Sequence, residues 1–103
     1  MRMLLRASIP TDAGNTSLKD GSMMETLESI LGDANPEAVY FYIENGRRTC
    51  MMIFEMNDVS QLPAVVEPWF LSMGADITLV PVMNGEDFEK VGPSLGATIQ
   101  KYS

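Results

Sequence analysis

The chain of 103 residues has the composition of one small globular domain, with 46% hydrophobic and 20% charged residues, which argues against disorder. The formal net charge of −7 argues against nucleic acid and anionic membranes as partners, because both attract basic surfaces. The single cysteine excludes an intrachain disulfide and a four-cysteine metal site, and no stretch reaches the ~20 apolar residues of a membrane helix. We therefore predict a single cytoplasmic domain over residues 1–103, with a core of residues 1–91 and a C-terminal tail of residues 92–103.

The first predicted strand, residues 1–9, alternates between Met1, Met3, Leu5, Ala7 and Ile9 on one side and Arg2, Leu4, Arg6 and Ser8 on the other. Residues 10–15 have a turn-forming composition that ends the strand. Apolar residues then recur at helical spacing as far as Leu31. The helix is predicted to begin near Thr16, or at Ser22 if Ser22 and Glu25 form a capping box, and to end at Gly32.

Residues 38–56 predict two antiparallel strands joined by the turn Asn45-Gly46, a pair that readily adopts positive φ. The turn sets the register, in which Glu44 faces Arg47 and each side of the hairpin collects alternate residues. One side holds Val39, Phe41, Ile43, Cys50, Met52, Phe54 and Met56, and the other holds Tyr40, Tyr42, Thr49, Met51 and Ile53. A sheet that is apolar on both faces needs a packing layer against each face.

A second helix is predicted after the hairpin, capped by Asp58 or Ser60 and ending at Gly74. Pro68 lies inside its pattern and predicts a kink or a late start. The apolar stripe of this helix consists of Leu62, Val65, Val66, Trp69, Phe70 and Met73.

Residues 75–83 predict a fourth strand, which Pro81 places at a sheet edge because proline has no N–H to donate. Residues 86–91 predict a short helix, followed by a break at Gly92-Pro93. The tail has no partner in the predicted domain, so we expect it to lie on a neighbouring subunit or to fray.

The order strand, helix, strand, strand, helix, strand predicts an α+β, ferredoxin-like βαββαβ fold. Right-handed crossovers put both helices on one face of an antiparallel sheet ordered 4-1-3-2. The face assigned to the helices, here the helix-side face, carries Met3, Leu5, Ala7, Val39, Phe41, Ile43, Cys50, Met52, Phe54, Ile77 and Leu79. The opposite face, here the open face, carries Leu4, Arg6, Ser8, Tyr40, Tyr42, Thr49, Met51, Ile53, Thr78, Val80 and Val82. An exposed patch of this kind usually meets a partner, so we predict a homodimer formed through the open face.

The six elements, the apolar open face, the length and the run TLVPVMNGEDF from Thr78 to Phe88 resemble the dimeric α/β-barrel superfamily, in particular its small bacterial families of unknown function. The resemblance covers residues 1–91 and implies that two sheets pack face to face as a dimeric α/β barrel. Members of that superfamily include cofactor-independent monooxygenases, haem-degrading enzymes, lactone isomerases and proteins with no assigned role.

Few side chains of this chain suggest catalysis. Histidine is absent, which removes the usual general base, metal ligand and haem ligand together, so we predict no metal and no cofactor. The acidic group Glu86, Asp87 and Glu89 opens a helix, where acids complement the helix dipole. Cys50 is expected to be a buried, unreactive thiol.

The candidate ligand contacts are Arg6, Ser8, Tyr40, Tyr42, Thr49 and Trp69. Arg6 needs a partner, because an unpaired guanidinium is costly to bury. Glu55, a carboxylate of a second subunit or an anionic ligand would each provide one. Trp69 would either stack on an aromatic ligand or belong to the core.

Two functions remain open from the sequence, and whether the protein is an enzyme is not decided. The favoured one is a non-catalytic homodimer that binds a small molecule or a partner, since no nucleophile and base are paired. The alternative is a cofactor-independent monooxygenase or isomerase acting on a small acidic or aromatic substrate. In that alternative Arg6 would hold an anion while Tyr40 or Tyr42 donates a hydrogen bond.

Overall fold

A four-stranded antiparallel sheet forms the centre of the computed structural model, which describes all residues, 1–103. Its strands are β1 (Arg2–Ile9), β2 (Ala38–Glu44), β3 (Arg47–Glu55) and β4 (Asp76–Pro81), arranged in the order β2-β3-β1-β4. Read from the other edge, this is the predicted order 4-1-3-2. The α+β, ferredoxin-like fold and the position of Pro81 in an edge strand are therefore confirmed.

The β2–β3 hairpin has the predicted turn and register. Asn45 and Gly46 have φ values of 53° and 73°, as a turn with two left-handed residues requires. The pairing runs from Glu44 opposite Arg47 to Val39 opposite Met52. A slip by one residue would exchange the two faces of the hairpin, so this turn decides which side chains face the helices.

Two helices, rather than one, connect β1 to β2: α1 (Thr11–Lys19) and α2 (Ser22–Ala34). The prediction of a turn over residues 10–15 was wrong, because a proline with its fixed φ and an acid such as Asp12 also suit the start of a helix. Gly21 has a φ of 84° and separates α1 from α2. Of the two predicted starts, Ser22 is therefore the one adopted.

The predicted capping details of α2 were wrong at both ends. The Ser22 side chain makes no capping hydrogen bond. Instead the Ser22 N–H donates to Asp20 Oδ1 at 2.8 Å. The helix also continues past Gly32 and ends at Asn35, whose φ of 46° gives the left-handed cap that glycine more often provides.

The next helix, α3 (Leu62–Met73), follows a short 3-10 turn over Val59–Gln61. Asp58 caps this turn together with Gln61, so the predicted cap stands at the start of the 3-10 turn and not at the start of α3. α3 contains Pro68 in its interior, so the alternative that the helix starts only after this proline is excluded. Its end at Gly74 is confirmed. Phe70, assigned to the buried stripe, is exposed.

The hydrophobic core lies between the helix-side face of the sheet and α1, α2 and α3. It contains Met3, Leu5, Ala7, Ile9, Met23, Ile30, Cys50, Met52, Phe54, Met56, Trp69, Met73 and Ala75. Phe41 and Ile43 belong to the same face but are 57% and 70% exposed. The helices therefore cover the central strands and leave the end of β2 next to the turn uncovered.

Two helices follow β4: α4 (Gly85–Glu89) and α5 (Gly92–Tyr102). The predicted break at Gly92-Pro93 is the first turn of α5, a position that tolerates proline. α5 extends away from the sheet. The whole chain, α5 included, therefore measures 58 × 28 × 21 Å and has a radius of gyration of 17.1 Å, against about 13 Å for a compact chain of this length. None of the helices is long and apolar enough to cross a bilayer.

Replacement of Trp69 by alanine is expected to cost about 3–5 kcal/mol of unfolding free energy, because the fully buried indole would leave a large cavity. Phe70→Ala is the matched control, since its neighbouring ring is partly in solvent and its removal should cost much less. Urea unfolding followed by far-UV circular dichroism measures both. Equal losses for the two variants would contradict the assignment of Trp69 to the core.

Candidate functional site

Five of the six predicted ligand contacts lie together on the open face. The strand register puts Tyr40, Met51, Arg6 and Thr78 in one row across the sheet, and Tyr42, Thr49, Ser8 and Asp76 in the next row. Trp69 is separate, because it is fully buried on the opposite side of the sheet. Its indole nitrogen has no hydrogen-bond partner. Trp69 is therefore a core residue, which is one of the two roles that the sequence left open for it.

Arg6 pairs with Glu44, and the proposal of Glu55 as its partner was wrong. Arg6 Nε lies 3.4 Å from Glu44 Oε2, and both side chains are 40% exposed. Glu55 instead accepts a hydrogen bond from the amine of Met1. The Tyr42 hydroxyl lies 3.5 Å from Glu44 Oε1, at the limit for a hydrogen bond. Glu44 thus bridges the arginine of the central strand and the tyrosine of the edge strand.

We call Arg6, Ser8, Tyr42, Glu44 and Thr49 the polar cluster. Thr49 is buried at its centre and its hydroxyl donates to the carbonyl oxygen of Arg47 at 3.1 Å. At the rim, Arg47 Nη1 lies 3.0 Å from Asp76 Oδ2, joining β3 to β4. The guanidinium groups on this half of the open face therefore have carboxylate partners within the chain.

The other half of the open face is apolar and ends at a second arginine. Ala38, Ile53, Leu4 and Val80 form one row across the sheet. Beyond that row, Arg2 Nε lies 2.6 Å from Glu37 Oε1, while its Nη1 pairs with Asp87 of α4. A shallow depression of about 330 Å³ lies between this arginine and the apolar row.

The Arg2 and Asp87 pair holds α4 against the end of the sheet. Asp87 also closes a capping box, in which its Oδ2 accepts from the Asn84 N–H at 3.0 Å and its own N–H donates to Asn84 Oδ1 at 2.8 Å. The hydrogen bond from the Asn84 backbone, helped by the positive charge of Arg2, lowers the pKa of Asp87. Its carboxylate therefore stays charged to a lower pH than that of an ordinary aspartate.

The sequence reasoning assigned no site role to Glu44, Glu37 or Asp87. The hairpin register contained the signal for Glu44, because residues 40, 42 and 44 share the face of Arg6. The contacts of Arg2 with Glu37 and Asp87 had no such signal, since they join segments far apart in the chain. Asp87 was read only as an acid that complements a helix dipole.

Cys50 lies on β3 between Ala7 of β1 and Phe41 of β2, with its side chain buried on the helix-side face. Burial raises the pKa of its thiol to about 11, so the thiol is protonated at neutral pH and is a poor nucleophile. No group of three His, Cys, Asp or Glu side chains is close enough together to bind a metal ion.

Asp87→Asn is expected to lower the free energy of unfolding at pH 7, and the difference from the original chain should shrink below about pH 4. The folded-state pKa of Asp87 is depressed, so its contribution is present above the ordinary aspartate pKa of about 3.9 and is lost as the pH falls through the lower folded value. Urea unfolding followed by the fluorescence of Trp69 measures this.

Glu86→Gln is the control for this prediction, because Glu86 is an exposed acid on the same helix that pairs with no basic residue. This variant should match the original chain at both pH values. If Asp87→Asn were as stable as the original chain at pH 7, the pair with Arg2 would have no role in holding α4.

Comparisons with known proteins give a family for the chain but no activity. No curated protein matches the sequence. Among solved structures, the de novo designed protein Ferredog-Diesel is similar, with 10% sequence identity over 79% of this chain and 85% of the design and a TM-score of 0.45. The resemblance to the dimeric α/β-barrel superfamily stays a prediction. A family model described as a domain of unknown function (DUF3303) matches residues 4–96, so the chain belongs to that family.

Proposed function

We propose that this protein is a non-catalytic binding protein that acts as a homodimer joined through its open face. The observation that carries the proposal is that this face is half apolar and has no helix packed over its centre. Tyr40 is 59% exposed there, and Met51, Ile53 and Val80 lie beside it without full cover. Two such faces related by a two-fold axis would cover each other, as in the dimeric barrels that the sequence resembles.

The extended helix α5 supports the same assembly. It carries Leu95, Ile99 and Tyr102 at helical spacing, all exposed, and it makes little contact with the other elements. An isolated helix of 11 residues is marginal in water, because the first turn is costly to form. We infer that the apolar stripe of α5 packs on the second subunit.

The polar cluster supports a binding role rather than a catalytic one. Arg6 and Tyr42 both engage Glu44, and the Thr49 hydroxyl is bonded to backbone. The Thr49 hydroxyl donates to a backbone carbonyl and not to a side-chain base, so it is not activated as a nucleophile. In the proposed dimer the cluster would be enclosed between two sheets. There Arg6, Ser8, Tyr40, Tyr42 and Thr49 would contact a small acidic molecule or polar groups of the second subunit.

We place this dimer in the cytoplasm. The support is Cys50, a free and buried thiol, which is typical of proteins from a reducing compartment. The acidic balance of the chain, with a net charge of −7, fits partners that are neither nucleic acid nor anionic membrane.

Light scattering is expected to find a dimer at micromolar concentration, and Tyr40→Glu should convert it to a monomer. An interface of this kind buries on the order of 1,500 Å². A glutamate at position 40 would place one unpaired carboxylate from each subunit inside that interface, where desolvation opposes association. A monomer in the original chain would refute the proposal.

Leu71→Glu is the matched control, since Leu71 is 83% exposed and lies on α3, on the other side of the sheet. This variant makes the same change of charge on an exposed apolar residue and should remain dimeric. If both variants stayed dimeric, or both dissociated, the open face would not be the interface.

Deletion of residues 93–103 is expected to weaken the dimer without unfolding the domain. All residues of α5 are outside the core, so the sheet and the other helices should keep their packing. The dimer dissociation constant is measured by sedimentation, and the fold by urea unfolding with Trp69 fluorescence. A truncated chain that is monomeric and unfolded would show that α5 belongs to the core instead.

A further inference from the structure

Arg48 is the one arginine of the chain without a carboxylate partner. Arg2, Arg6 and Arg47 each form a salt bridge. Arg48 is half-buried on the helix-side face of β3, where Ile9 and Ile43 flank it in the register. The neighbouring residue Arg47 points to the open face. A half-buried guanidinium with no opposite charge beside it is energetically costly. Folding alone therefore does not explain why an arginine occupies this position.

α1 positions the Arg48 guanidinium from one side. Arg48 Nη2 donates to Asn15 Oδ1 at 2.9 Å, which satisfies one donor but adds no charge. The group also passes close to Gly14, where a Cβ atom would lie 2.8 Å from Arg48 Nη1 and 3.2 Å from Ile9 Cγ2. Glycine at position 14 therefore leaves the space that the guanidinium occupies. A guanidinium has five donors, so capacity for an anion remains.

Arg48 borders an apolar cavity of about 330 Å³ between α2 and the uncovered end of β2. Its apolar walls are Ile9, Met23, Leu27, Phe41, Ile43 and Cys50. The exposure of Phe41 and Ile43 arises here, because no helix covers this end of the strand. None of the residues that line the cavity is acidic. The volume is at the small end of the range for sites that bind small organic molecules.

We propose that this cavity binds a small apolar carboxylic acid, with its carboxylate on Arg48 and its hydrocarbon part between α2 and β2. A carboxylate would supply the missing counter-charge, and a guanidinium can hold it through two parallel hydrogen bonds. The hydrocarbon part would cover Phe41, Ile43 and Leu27. The requirement for one anionic end follows from Arg48, and the requirement for an apolar body follows from the cavity walls.

This site lies on the face of the sheet opposite to the proposed dimer surface, so it does not rest on the proposed function. The two are also tested by different measurements, since one predicts self-association and the other predicts binding of a soluble acid. A failure of one can therefore be told apart from a failure of the other.

The test is a titration of the full chain with octanoate, and in parallel with 1-octanol, followed by the amide resonances of a ¹⁵N-labelled sample. Octanoate is expected to bind and to shift the amides of residues 14, 15, 27, 41 and 48. Arg48→Met should weaken octanoate binding by about tenfold or more, the loss expected from one charged pair. Binding of 1-octanol, which has the same chain without the charge, should be equal in both proteins.

Arg47→Met is the matched control, because it removes an arginine one residue away whose side chain is on the other face; octanoate binding should not change. Gly14→Ala is a second variant that keeps Arg48 but crowds its guanidinium more than the neighbouring cavity wall at Ile9, so it should weaken octanoate binding more than 1-octanol binding. Equal octanoate affinity in the Arg48→Met variant, or no octanoate binding by the original chain, would overturn the proposal. Octanoate binding that appears only after deletion of residues 93–103 would also overturn it, since α5 of a second copy would then be the occupant.

Discussion

The register of the β2–β3 hairpin is the constraint on which the rest of the structure depends. The turn at Asn45 and Gly46 sets it, and because side chains alternate along a strand, it gives the sheet an apolar set on each face. One face receives α1, α2 and α3 and becomes the core. The two remaining helices, α4 and α5, do not pack over the centre of the second face, so the same register that builds the core leaves this face open.

The four arginines of this acidic protein differ in whether a carboxylate lies close enough to form a salt bridge. On the open face, Arg6 and Arg47 each pair with a carboxylate two strands away in the sheet, and Arg2 pairs with Glu37, just before β2, and with Asp87 of α4. These pairs are partly exposed, so each adds little to stability, but together they fix the geometry of the face. Arg48, on the opposite face, has only an amide for a partner. That difference distinguishes the open face, which we propose as a dimer surface, from the cavity at Arg48, which we propose as a site for a carboxylic acid.

The candidate site was predictable wherever it depends on strand alternation. Five of its residues follow from two strand registers, and Glu44 follows from the same rule. The partner of Arg6 was missed because the contact reaches across β3 to Glu44 of β2, and the alternation of side chains along one strand does not predict such a contact. Trp69 was named as a candidate ligand contact because a helical stripe alone does not show how deeply a side chain is buried. The cavity at Arg48 had no local signal, since its walls come from β1, α2 and the hairpin.

The sequence by itself determined the strands, their order, the tight turn and the helix end at Gly74. The strands, the turn and the helix end depend on the backbone preferences of a few adjacent residues or on a short period of apolar side chains, and the strand order follows from the handedness of the crossovers. Only the tertiary structure decided that residues 10–15 form a helix beside Arg48, that α2 passes Gly32, and that the end of β2 stays uncovered. Those outcomes depend on packing between segments distant in the chain, where contact energies outweigh local preferences.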